Sequence, residues 1–249
     1  MKFSANLGFL WTDLPLPDAV RAAHAAGFDA VEFHWPYDTP AADLRAALEE
    51  TGLPALGINT VRGEGNGLSA LPDRVEEARA AIDQAITYAH EIEAGAVHVM
   101  AGFSEGEAAR DAFVGNLRHA CDAAPDLTVL IEPLNRHDAP GYFLSTSAQA
   151  RDIIATVDRP NVKLMFDCYH LQIMGGDLTR QLRDCLAVTG HIQFASVPDR
   201  GPPNGGELSY DHVFAEIARL GWEAPLGAEY KPRGDTGATL GWMDRYRRA

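Results

Sequence analysis

Cysteine is scarce in this 249-residue chain. Cys121, Cys168 and Cys185 are odd in number and far apart, and no C-x-x-C pair occurs. That excludes a disulfide framework and a zinc knuckle, and makes reduced, buried thiols in a cytoplasmic protein the expectation. No run reaches 18 uninterrupted apolar residues, so no membrane span is expected. The opening MKFSANLGFLW lacks an apolar core followed by a small-residue cleavage site, so no signal peptide is expected. Basic residues are also few: Lys+Arg 21 against Asp+Glu 35 leaves a net charge of −14. A broad nucleic-acid surface needs clustered basic residues and is not expected. A small anionic substrate fits, because one pocket arginine can hold a carboxylate.

What is present is a repeat of strand-like and helix-like segments. Short β-type runs occur at 2–6, 30–35, 55–60, 96–100, 128–132, 162–167, 191–196 and 225–230. Alanine- and charge-rich stretches lie between them. In 72–93, Val75, Ala78, Ile82, Ala85, Ile86 and Ala89 step by three and four; in 105–122, Phe113, Val114, Leu117, Ala120 and Cys121 do the same. Each set makes one apolar helix face. Ser145 or Thr146 stands where one helix N-cap belongs, and Ser209 where another does. Strands alternating with helices imply parallel β/α units. Eight units of about 31 residues predict a single (β/α)8 TIM barrel over 1–249. An open doubly wound sheet would need a nucleotide-type glycine loop after the first strand, where Asn6-Leu7-Gly8-Phe9 stands instead.

Active sites of such barrels form at the C-terminal ends of the strands. The segment LIEPLNRH ends a buried strand on a carboxylate, Glu132, which is costly to bury unless an arginine, a metal or water satisfies it. Asp167 ends strand 6, Gln193 lies in strand 7 and Glu229 in strand 8, at separations of 35, 26 and 36 residues. Each separation is about one β/α unit, so the four face one rim. Three carboxylates this close need a cation between them. Oxygen donors without cysteine suit Mg²⁺ first, with Mn²⁺ as the alternative. Any one of these acids could instead pair with a rim arginine; four at matching places argue for the metal. His170, three residues after Asp167, either reaches substrate or packs. Lys231 faces either the pocket or solvent. Phe9 and Trp35 wall the pocket or serve the core, and Cys168 should pack on the face opposite Asp167.

These blocks carry a resemblance. FSANLGFL, VEFHWPYD, LIEPLN, FDCYHLQIMGGDL, GHIQFASVPDRGPPNGGELSYDHVF, AEYKP and GWMDRYR span nearly the whole chain. Together they resemble the hydroxypyruvate isomerase family of the xylose-isomerase-like barrels. The resemblance implies aldose–ketose isomerisation of a small hydroxy-oxo acid. Glu132 and Glu229 would be the proton-transfer pair, and Glu132, Asp167, Gln193 and Glu229 the ligands of a divalent cation. Arg200 matches a substrate-contacting arginine of the relatives. Related sugar epimerases have histidine at the strand 7 position, so Gln193 favours the hydroxypyruvate isomerases. The loop NTVRGEGNGLSALP departs from the family pattern, which keeps a 2-oxo-tetronate isomerase and a ketose 3-epimerase as alternatives. A metal-dependent phosphodiesterase of the endonuclease IV type would need more clustered histidines and a basic rim. A non-catalytic sugar-binding barrel would not need two acids placed for proton transfer. The expected partner is a small hydroxy-oxo acid, with no nucleic acid and no membrane; assembly into a homo-oligomer stays open.

Overall fold

The computed structural model describes residues 1–247. The strands are β1 (Phe3–Asn6), β2 (Ala30–Glu32), β3 (Ile58–Asn59), β4 (Ala96–His98), β5 (Thr128–Ile131), β6 (Val162–Asp167), β7 (Thr189–Phe194) and β8 (Leu226–Ala228). Helices α1 (Leu16–Ala25), α2 (Ala41–Thr51), α3 (Val75–Glu91), α4 (Gly106–Ala123) and α5 (Ser147–Val157) follow the first five strands in turn. Two helices, α6 (Cys168–Met174) and α7 (Leu178–Cys185), follow β6; α8 (Tyr210–Arg219) follows β7 and α9 (Met243–Arg247) follows β8. All strand pairs are parallel, in the order β2-β1-β8-β7-β6-β5-β4-β3.

That order leaves β2 and β3 at its two ends. The gap is spanned by the bridge Val31–Ala55, by Leu56 N–H donating to Val31 O at 2.8 Å and by Phe33 N–H donating to Gly57 O at 3.0 Å. The result is the nearly closed eight-stranded barrel that the alternation predicts. β3 is shorter than the run 55–60 suggests. Pro54 has no N–H to give, and residues 55–57 make scattered bonds to β2 rather than a ladder.

The periodic stretches fold as helices on the faces read from them. In α3 the buried residues include Ala78, Ile82, Ala85, Ile86 and Ala89; in α4 they include Phe113, Val114, Leu117, Ala120 and Cys121. Thr146 is the N-cap of α5, its side chain accepting from Gln149 N–H at 3.1 Å. Ser209 precedes α8 but makes no side-chain capping bond.

Strand alternation separates two interiors. Val129 and Ile131 of β5, Leu164 and Phe166 of β6, Ile192 and Phe194 of β7, and Leu226 and Ala228 of β8 join the large cluster packed under the helices. Leu130 and Met165, one residue out of phase, meet Ala96 in a small separate cluster inside the barrel. The same inward phase carries Glu132, Asp167, Gln193 and Glu229 to the barrel interior. Phe194 anchors the opposite face. Its ring is fully buried, 5.0 Å from Phe214, 5.3 Å from Trp242 and 5.9 Å from Phe3 between centroids. Phe194→Ala should therefore cost about 3–5 kcal/mol, the usual range for a buried aromatic. A lowered urea midpoint with an unchanged slope checks this, and a Phe194→Leu variant should lose less.

Candidate active site

Each acidic side chain of the site sits where a strand stops. Pro133 ends β5 immediately after Glu132. Asp167 closes β6 and caps α6, its Oδ1 accepting from Tyr169 N–H at 2.7 Å. Glu229 follows β8 directly. Cα partners across the ladders are Asp167 with Gln193 and Gln193 with Gly227, so Gln193 stands between the strands of the other two. Glu132, Asp167, Gln193 and Glu229 are all buried. Glu132, Asp167, His170 and Glu229 each bring one ligand atom into a group whose members lie within 4.8 Å of one another.

The three acids are treated unequally. Glu229 Oε1 accepts from Asn6 Nδ2 at 3.2 Å and lies 2.9 Å from His34 Nε2, while its Oε2 meets the Arg200 guanidinium. Burial works against its charge, but Arg200 and His34 outweigh burial and hold its carboxyl below the usual range. Glu132 has no such partner. Burial first, then the charges of Glu229 and Asp167, push its carboxyl well up. Asp167 is pushed up for the same reasons, less its Tyr169 bond and the pull of Arg200, whose Nη2 is 3.6 Å from Oδ2.

Glu132 Oε1, Asp167 Oδ2 and Gln193 Oε1 are buried with no hydrogen-bond partner. Orphaned acceptors are costly, and three at one strand-end rim fit a divalent cation with oxygen ligands. His170 is a poorer ligand than its position suggests. Its Nδ1 accepts from Asn135 N–H at 3.0 Å, so in the neutral ring the proton is on Nε2. Nε2 lies 3.5 Å from Asp167 Oδ2 and 3.9 Å from Glu132 Oε1. Burial, helped by Arg200, lowers the His170 pKa to about 3, which keeps the ring neutral. His170 is thus a hydrogen-bond donor facing the carboxylates.

Glu132 and Glu229 open onto a cavity of about 270 Å³ whose walls include Phe9, Trp35, Arg62, His170 and Arg200. Phe9 and Trp35 wall the pocket, the first of the two roles read for them. Arg200 enters from the β7–α8 loop and is stacked, 4.8 Å from the Phe9 centroid and 4.9 Å from that of Tyr169. Cys168 is buried in the cluster under the helices, opposite Asp167 as strand phase requires. Gln193 borders a smaller cavity inside the barrel together with Glu32 and His98. Lys231 is not brought to the site: its side chain is exposed and only its backbone N–H binds, to Arg200 O at 2.7 Å. Sequence reasoning missed His34, Asn6, Glu32 and His98. The available signal was a polar residue in inward phase at the ends of β1, β2 and β4.

Residues 20–246 match the family model described as xylose isomerase-like TIM barrel. A putative hydroxypyruvate isomerase from Danio rerio is 42% identical, covering 100% of this chain and 96% of its own. A 2-oxo-tetronate isomerase from Cupriavidus necator is 41% identical over 98% of both. A crystal structure titled AP endonuclease, family 2, from Brucella melitensis superposes with a TM-score of 0.94 at 37% identity, over 98% of each chain. The chain belongs to the xylose isomerase-like TIM barrel family. Within it, this is an enzyme of the hydroxypyruvate isomerase group. Among the described residues no helix is long and apolar enough to cross a membrane.

Gly8 keeps His34 in place. A Cβ at Gly8 would lie 2.1 Å from His34 Nδ1. Gly8→Ala should push the ring off Glu229 and cost about 1–3 kcal/mol, the range for overpacking. A crystal structure of the variant checks the displacement, with a His34–Glu229 separation beyond 3.5 Å expected.

Proposed function

We propose that the protein interconverts hydroxypyruvate and tartronate semialdehyde. The observation that carries this reading is the convergence of Glu132, Asp167 and Glu229, with Glu132 Oε1 and Asp167 Oδ2 unpaired, beside a cavity of only about 270 Å³ that Glu132 and Glu229 line. A space of that size suits a short acid. Glu132, Asp167, Gln193 and Glu229 would hold Mg²⁺ or Mn²⁺, which would supply electrostatic stabilisation of negative charge on the substrate oxygens.

The rest is done by the chain's own residues. One of Glu132 and Glu229 takes a proton from C3 of hydroxypyruvate, and the electrons of that C–H bond spread over C2 and C3 as an enediolate. The other returns a proton to C2, and the hydroxyl proton on O3 passes to O2, so atoms balance. His170 Nε2–H donates to a substrate oxygen. His34 and Asn6 fix Glu229 Oε1, so that proton transfer would fall to Oε2, the oxygen that the Arg200 guanidinium meets. Arg200, stacked between Phe9 and Tyr169 on the cavity wall, would grip the substrate carboxylate in a two-point contact, and a cation held by the acids would share the charge it now offsets on Glu229 and Asp167. Lys231 contributes through its backbone bond to the Arg200 loop.

A second reading, isomerisation of a 2-oxo-tetronate, keeps every one of these roles. Arg62 favours it: this arginine lines the same cavity, 5.4 Å over the Trp35 ring, and makes no ion pair among the described residues. It offers a longer acid a second place for its carboxylate. The endonuclease title of the Brucella neighbour belongs to that protein; the −14 net charge and the acid-lined cavity favour a small acid here.

Four measurements test these readings. Chelator-stripped protein should gain about 2.7 kcal/mol of stability from Mn²⁺ at a hundredfold its Kd, and Asp167→Asn should lose most of the thermal shift. Glu132→Gln and Glu229→Gln should each lower turnover roughly 10²–10⁴-fold. The mutant that still exchanges the C3 label at the wild-type rate identifies the other residue as the base, and normal isomerisation by both sinks the two-glutamate mechanism. Arg200→Lys should reduce turnover of acids much more than of neutral ketoses; equal losses would assign Arg200 to supporting the loop. Hydroxypyruvate, 2-oxo-tetronate and a ketose assayed side by side decide the substrate.

A further inference from the structure

Gln193 raises a problem that the carboxylates do not. A carboxylate presents oxygen whichever way it turns. An amide presents oxygen on one side and NH₂ on the other, and the NH₂ side repels a cation. Something must decide which end of Gln193 faces the rim.

Glu32, the last residue of β2, lies inside the barrel and is buried. Its Oε1 accepts from Gln193 Nε2 at 3.2 Å and from Asn6 Nδ2 at 3.2 Å, and its Oε2 is 2.5 Å from His191 Nε2. An ionised carboxylate only accepts, so it takes the NH₂ end of the amide and turns away the oxygen end. Gln193 Oε1 is left buried and without a partner. β8 makes room for this pairing. A Cβ on Gly227 would stand 2.5 Å from Glu32 Oε1 and 2.7 Å from Gln193 Cγ. The strand is bare where the two side chains meet.

We propose that Glu32 is a positioning residue that sets the orientation of the Gln193 amide, so that Oε1 is presented as a ligand for the divalent cation. The inference rests on the cation reading given above. Asn6 extends the effect, because the same NH₂ group donates to Glu32 and to Glu229 Oε1. One carboxylate oxygen thus aligns two side chains from the strands on either side of β8.

The test is Mn²⁺ affinity, read by electron paramagnetic resonance on the chelator-stripped full-length chain without substrate. Glu32→Met removes the acceptor while keeping the side-chain length. It should weaken Mn²⁺ binding by about 10–100-fold, the usual cost of losing a group that orients a ligand. In a Gln193→Glu background residue 193 has no wrong end, and adding Glu32→Met should change affinity by less than about threefold on the same scale. Equal losses in both backgrounds, or no loss in either, would overturn the proposal, since Glu32 would then act on the fold or on overall charge. A wild-type chain that fails to bind Mn²⁺ defeats the cation reading and this inference with it, an outcome distinct from either pattern in the variants. Neutron diffraction of the wild-type chain decides the matter even where Glu32→Met does not fold. Amide deuterons on the Glu32 side of Gln193 support the proposal, and deuterons on the side of Asp167 overturn it.

Discussion

Three carboxylates share one buried rim, and the remainder of the site is organised by their mutual repulsion. At the 4.8 Å spacing of their oxygens, one like-charge pair costs roughly 3–4 kcal/mol at an effective dielectric near 20. The chain meets this in two ways. It concentrates donors on Glu229, through Asn6, His34 and Arg200. It leaves Glu132 Oε1 and Asp167 Oδ2 without donors. The first arrangement stabilises one acid as an anion, and the second keeps lone pairs free for a ligand. A site intended only for structure would satisfy all three acids alike.

The barrel makes this asymmetry affordable by its phase. Along β5 to β8 the residues facing the helices are apolar and fully packed, so stability comes from that side. The inward residues are released from packing and carry chemistry instead. Among the described residues, Ala96, Leu130 and Met165 form an apolar patch inside, beneath the polar groups of the rim. A one-residue slip in any of these strands would exchange the two sets and destroy both the core and the site.

Much of this was legible before any coordinates. Glu132, Asp167, Gln193 and Glu229 could be placed together because each ends or nearly ends a β-type run and the runs recur at one β/α unit. The partners were harder to see. Asn6, Glu32 and His98 occupy strand ends too, but a lone polar residue in a short strand resembles ordinary turn chemistry until its cross-barrel neighbour is known. Glu32 meets His191 and Gln193 across about 160 residues of sequence, and no local pattern reports that. His34 keeps the inward phase of Glu32 two residues on, just past the end of β2, but nothing in the local sequence says that the alternation continues there. Of the two directions read for Lys231, pocket or solvent, the structure gives solvent, because two residues past Glu229 the chain has already left the barrel. The short β3 reflects Pro54 just before the run and Gly57 within it, where the bonds to β2 lose their regular register.

Arg200 remains the most consequential neighbour of the acids. Its backbone is left-handed at φ 50°, and its guanidinium is layered between Phe9 and Tyr169 while it meets Glu229. Holding a non-glycine residue in that conformation has a cost of order 1–3 kcal/mol, borne by a loop that also ties Lys231 N–H to Arg200 O. The acidic rim thus carries a counterion drawn from its own polypeptide, so the repulsion among its carboxylates is offset in part by a residue of the same chain.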